Sequence, residues 1–142
     1  MLGRSQASLE YLVVLTALFS FLAAFAPLVN SVSDLAHYSI VVRTQESAFN
    51  RVVEACSQAS AFGYASTSLR QVTLAAEKTF FYYDDSTASL SMHFVEGNHS
   101  KTFSTHTGYA VTTSSSQLSR GKYYASAAST PQGVKLVFQP LK

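Results

Sequence analysis

The sequence predicts an α+β protein in which a long N-terminal α-helix packs its outer part on a C-terminal antiparallel β-domain. Three observations carry this reading. Tyr11 to Val29 is a 19-residue stretch without a charge. Apolar residues then recur at steps of three and four as far as Ala59, and beyond Gly63 they alternate with polar ones. A chain of 142 residues has room for one compact domain and an appended element.

The charge-free stretch comes first. As a helix it measures about 28 Å, close to the ~30 Å of a hydrocarbon core, so it is long enough to span a membrane. Arg4 precedes it and no acidic residue stands before Glu10. The positive-inside tendency therefore holds the start of the chain in the cytoplasm and sends the rest outward. A secretory signal peptide is the simpler alternative, with Ala24-Phe25-Ala26 as a small-residue cleavage site. Against it stand an apolar core longer than the usual roughly 7 to 15 residues, Glu10 at the entrance, and Pro27 directly after the cut. An uncleaved anchor is a third reading. Glu10 poses the sharpest question, because a carboxylate entering hydrocarbon is costly without a partner.

Past Pro27, the positions Val29, Val32, Leu35, Ala36, Ser39, Val42, Phe49, Val52, Val53, Cys56 and Ala59 form one stripe, with Asp34, Arg43, Glu46, Arg51 and Glu54 mostly between them. The helix is expected to run from near Ala7 to Phe62, about 84 Å at 1.5 Å per residue, with Gly63 as its stop signal. Pro27 is the expected kink, since proline removes a backbone hydrogen bond and crowds the preceding turn.

After Gly63 the period falls to two. Val72, Leu74 and Ala76 alternate with polar or small residues, and the aromatic run Phe80 to Tyr83 closes on the turn Asp84-Asp85-Ser86-Thr87. Leu90, Met92 and Phe94 share one strand face. Glu96-Gly97-Asn98-His99 turns the chain into Lys101 to His106, and Tyr109, Val111 and Thr113 continue the alternation to a loop at Ser114-Ser115-Ser116. A last hairpin pairs Lys122 to Ala128 with Val134 to Gln139 across Thr130-Pro131-Gln132-Gly133. Five to seven antiparallel strands are expected.

Chemistry is sparse. The net charge of +2 is scattered, with no run of Lys and Arg, so no nucleic-acid partner is expected. Cys56 is the single cysteine, which precludes an intramolecular disulfide, and its place on the apolar stripe marks it as a core residue rather than a nucleophile. His93 and His106 fall on strands expected to pair, but with His37, His99, Asp84 and Asp85 they offer no metal-ligand spacing. No glycine-rich phosphate loop or nucleophile elbow is present, so the reading is of a non-enzyme without catalytic, cofactor-binding or metal-binding residues. Phe80 to Tyr83, with Tyr123 and Tyr124, include both faces of their strands, which sends some to the core and others to the surface, where tyrosines offer adhesion. Asn98-His99-Ser100 is a glycosylation sequon at an expected hairpin tip.

The opening residues Arg4-Ser5-Gln6-Ala7-Ser8-Leu9-Glu10 resemble the class III signal peptide of archaeal type IV pilin-like proteins. In that family the motif reads Gln-x-Ser-x-Glu, and a prepilin peptidase cuts before the Gln. Gln6, Ser8 and Glu10 match; Val14 stands where the family prefers Leu, with Leu12 and Leu15 adjacent. The resemblance covers the first fifth of the chain. It implies a cut between Ser5 and Gln6, which makes Glu10 the fifth residue of the mature chain, where type IV pilins carry their glutamate. Pro27 becomes the twenty-second, where many have a helix-kinking proline.

The implied division is a leader at 1–5, the membrane and filament-core part of the helix at 6–30, its outer amphipathic part at 31–63, and a pilin-like β-domain at 64–142. The implied function is that of a filament subunit, glycosylated at Asn98, with Gln6 and Glu10 as assembly residues. Its partners are then further copies or related pilins in a mixed filament, the prepilin peptidase, and a membrane platform with its ATPase. It resides in the membrane before assembly and at the cell surface afterwards. The alternative is a membrane-anchored receptor or adhesin domain that never polymerises.

Overall fold

A computed structural model describes residues 2–114 and 117–141, with side chains described from Ser8 on. Ser115 and Ser116, expected as loop, lie outside the described residues. The architecture is α+β, with one long N-terminal helix and a curled, mostly antiparallel sheet. The chain divides into two units, Met1–Tyr38 and Ser39–Lys142.

The first unit is helical throughout its described residues and belongs to α1 (Leu2–Ala61), which continues without a break across Pro27. Every side chain from Ser8 to His37 is exposed. Leu, Val and Phe occupy all sides of the cylinder, so this stretch has no polar face. Two of its hydroxyls turn inward onto the backbone: Thr16 Oγ1 donates to the Leu12 carbonyl at 2.7 Å and Ser31 Oγ to that of Pro27 at 2.9 Å.

In the second unit α1 acquires a face. Val41, Gln45, Ala48, Phe49, Val52, Ala55, Cys56 and Ala59 are buried, at the steps of three and four that one helix side requires. The buried stripe thus opens at Val41; Val29, Val32, Leu35, Ala36 and Ser39, expected within it, are exposed. Gly63, at φ +81°, ends the helix by taking the left-handed conformation that Cβ disfavours.

Six strands follow: β1 (Thr67–Asp84), β2 (Ser89–Glu96), β3 (His99–His106), β4 (Val111–Thr113), β5 (Leu118–Thr130) and β6 (Gly133–Pro140). They form one sheet in the order β3-β2-β1-β5-β6-β4. All neighbours are antiparallel except β4 and β6, which run parallel. This corrects the expected all-antiparallel domain, and connectivity explains it. β5 has β1 on one side and β6 on the other, so β4 must dock outside β6, and β5 between them in sequence reverses the chain once in each direction. Gly133 makes that docking feasible: at φ +130°, a Cβ on this residue would run into the Ala110 carbonyl oxygen, which accepts the Val134 amide at 2.8 Å.

β1 is one 18-residue strand rather than two short ones. Its pairing with β5 shifts between Leu74 and Lys78. Val72 and Leu74 before the shift and Ala76 within it are buried; after it Thr79 and Phe81 are, with Glu77 and Lys78 both exposed between. The bulge therefore moves the inward face from even to odd positions and bends the strand. Beyond it Phe81 stacks on Phe138 of β6 with centroids 4.7 Å apart, and Thr113 of β4 reaches the Phe81 carbonyl at 3.3 Å. The sheet curls over its own core. Phe49 of α1 stacks on Phe103 at 6.1 Å, and Phe103 on Phe94 at 5.9 Å, joining helix and sheet through aromatic contacts.

Candidate functional site

The expected assembly residues lie on the first unit. Ser5 and Gln6 are within α1, but their side chains lie outside the described residues. Glu10 is exposed on the helix, at the entrance of a continuous apolar surface that includes Leu12, Val13, Phe19, Phe21 and Leu28. Phe21 and Phe25 contact each other with centroids 4.7 Å apart. This helix is long and apolar enough to cross a membrane.

Asn98 occupies the β2–β3 turn. Glu96 pairs with His99, leaving Gly97 and Asn98 as a two-residue loop with Gly97 at φ +55°. Glycine with positive φ at the first central position and a residue of ordinary φ at the second is the pattern of a type II′ hairpin. Asn98, His99 and Ser100 are all exposed, so the whole sequon lies open to solvent.

The histidines stay apart. His93 and His106 do lie on paired strands, but His93 is opposite Thr102 and bonds its hydroxyl through Nδ1 at 2.9 Å, while His106 is opposite Ser89 and meets the Thr87 carbonyl at 3.1 Å. Among the described residues no three His, Cys, Asp or Glu side chains converge as a metal site needs. Cys56 is wholly buried, and burial pushes its thiol up to about 12. The aromatic run divides by strand parity: Phe81 and Tyr123 are buried, while Tyr82 and Tyr124 are exposed.

Sequence reasoning missed three features. Gln45 looks like a polar-face residue yet is fully buried, its Nε2 donating to Thr79 Oγ1 at 3.0 Å while Oε1 has no partner. Glu96, expected in an exposed turn, is buried against Arg120. Arg43 and Arg51, expected as solvated charges, line an open groove of about 450 Å³ with Thr44, Ser47, Ala48 and Thr73. Only the last had a signal in sequence, the i, i+4, i+8 spacing of Arg43, Ser47 and Arg51.

Comparison with protein-family models, curated proteins and solved structures finds no match to this chain.

Proposed function

We propose that this chain is a structural subunit of a type IV pilus-like surface filament, cut before Gln6 by a prepilin peptidase and polymerised through its apolar helix. One observation carries the reading: from Ser8 to His37 the helix is exposed on every side, and its large apolar residues point in all directions. Such a helix needs apolar surroundings all round. A bilayer supplies them to the precursor, and the same helices of neighbouring copies supply them in a filament, where close packing and apolar burial provide cohesion. A platform in the membrane and its ATPase drive the transfer. A pilin-like fold for the whole chain belongs to the same proposal.

Glu10 then has a role. The cut leaves an ammonium group on Gln6, and the Glu10 carboxylate of one copy pairs with the Gln6 ammonium of the next inside the apolar core. The pair relieves a burial penalty of about a few kcal/mol and sets the register between subunits. Asn98, open at its hairpin tip, is the residue that carries glycan.

Mass spectrometry of protein from native cells tests the processing. A chain beginning at Gln6 and a bulky substitution at Ser5 that blocks maturation are expected; retained Met1, or a start at Pro27, overturns the reading. Negative-stain microscopy with an antibody to the second unit tests the assembly. Labelled filaments are expected, whereas label confined to the envelope favours the anchored, non-polymerising binding domain.

A further inference from the structure

Arg43, Ser47 and Arg51 stand four residues apart on α1, which sets the two arginines about 12 Å apart along one side of the helix. The groove they line with Thr73 of β1 is charged one way. Arg51 donates one Nη1 bond to the Gln71 carbonyl at 3.1 Å, which fixes its side chain and leaves the rest of its fork available. Arg43 has no hydrogen bond or ion pair among the described residues. Of the acids on the same helix, Glu54 is engaged by Arg70 at 3.3 Å and by Gln58 at 3.2 Å, and Glu46, three residues past Arg43, makes no ion pair with it. Lys122 stands opposite Thr73 on β5, beside the residues that line the groove.

The complementary charge is on the same unit. Asp84 and Asp85 are the chain's one pair of adjacent carboxylates, at the β1–β2 turn. Asp84 Oδ1 accepts from the Ser86 amide at 2.9 Å and the Ser86 hydroxyl at 2.6 Å, and Oδ2 from Thr87 Oγ1 at 3.0 Å. These bonds hold the Asp84 carboxyl below its usual range and shape the turn. Asp85 is left exposed, and no Lys or Arg pairs with either acid among the described residues.

We propose that the Asp84-Asp85 turn of one copy docks into the Arg43–Arg51 groove of a second copy. Carboxylates against guanidinium forks are a favoured pairing. Because groove and turn are different patches, the contact is heterologous: after the first contact one copy keeps a free groove and the other a free turn, so the association propagates instead of closing on a two-fold dimer. The inference deepens the filament reading by adding a contact between sheet-bearing units to the one between apolar helices.

The test joins the two halves chemically in the full chain on native cells. Arg43→Lys keeps the charge and presents an amine, and a water-soluble carbodiimide condenses that amine with a touching carboxylate, forming an amide as the reagent takes up water to become a urea. Peptides spanning position 43 are expected joined to peptides with Asp84 or Asp85, in species that migrate as dimers and larger. Asp85→Asn in the same chain is expected to cut that yield at least fivefold. Absence of the link from both filament and membrane fractions overturns the contact. Filaments that form without the link overturn the contact and spare the filament reading, whereas the link in membranes that bear no filaments supports the contact and overturns the filament.

Discussion

Arg120 of β5 and Glu96 at the end of β2 meet at 2.6 Å across the bulge in β1, and between them they satisfy the backbone that the bulge displaces. Glu96 accepts the Glu77 amide at 2.9 Å, and Arg120 Nε donates to the Ala75 carbonyl at 2.7 Å. A bulge leaves such groups without ladder partners, and a buried one without a partner is costly. Glu96→Ala is therefore expected to destabilise the domain by about 1–3 kcal/mol in urea unfolding, and Glu96→Gln by less, since it keeps an acceptor. Arg120 is half exposed, so Arg120→Ala is expected to cost about 1 kcal/mol.

Phe49 joins the helix to the sheet and is 4% exposed. Phe49→Ala is expected to cost about 3–5 kcal/mol, which leaves a domain of this size marginal or unfolded. A soluble fragment starting at Ser31 suits the measurement, because it retains every buried residue of α1. A mixed helix and strand spectrum with a cooperative melt is expected of the fragment, and loss of that melt on substitution.

Gln45 and Thr79 form a buried polar pair that leaves Gln45 Oε1 unsatisfied. Replacing both by apolar groups of similar size removes the unmet acceptor, so Gln45→Leu with Thr79→Val is expected to be neutral or stabilising by about 1 kcal/mol. Thr79→Val alone strands the amide and is expected to be the less stable of the two variants in thermal unfolding.

The Cys56 thiol, held up to about 12 by burial against an ordinary value of 9.0, is expected to ignore an aromatic disulfide reagent at pH 8 and to react once per chain after unfolding. The sign of its pH effect follows. Below about pH 9 both folded and unfolded thiols are protonated and stability is unaffected. From there to about 12 only the unfolded chain releases its proton, so stability falls as pH rises.

Glu10→Ala is expected to insert and be cleaved normally but to lower the yield of sheared filaments at least tenfold, the equivalent of about 1.4 kcal/mol per contact. Glu10→Gln, which keeps a hydrogen bond, is expected to recover part of the loss. Unchanged yields from Glu10→Ala would remove the pairing with Gln6.

Local pattern made the helix, its stop at Gly63 and the strand-bearing half legible, because 3.6- and 2-residue periods are written directly in Phe49, Val52, Cys56 and Ala59 and in Leu90, Met92 and Phe94. What the pattern could not carry was partnership. Val32 and Leu35 have the right spacing but nothing to pack on, and Gln45 is buried because Thr79, more than thirty residues away, meets it. The bulge has no local signature beyond its parity change, which interrupts the alternation of one long strand. Parallel β4 is a property of docking order, which no window of sequence records.

The ladder between β1 and β5 joins Thr67 to Ala128, about sixty residues apart, whereas β1–β2–β3 and β5–β6 are each built from near neighbours. The domain is therefore two locally closed pieces whose union waits for β5, which is synthesised after β1–β3. Closing so long a loop costs entropy before any contact repays it, so maturation of the sheet is slow relative to helix formation. During that interval β1 has an open edge, and a chain tethered by its N-terminal helix would meet its neighbours in two dimensions while still incomplete. A folding helper, or spacing between newly made chains, is then as much a condition for a sound product as the sequence itself.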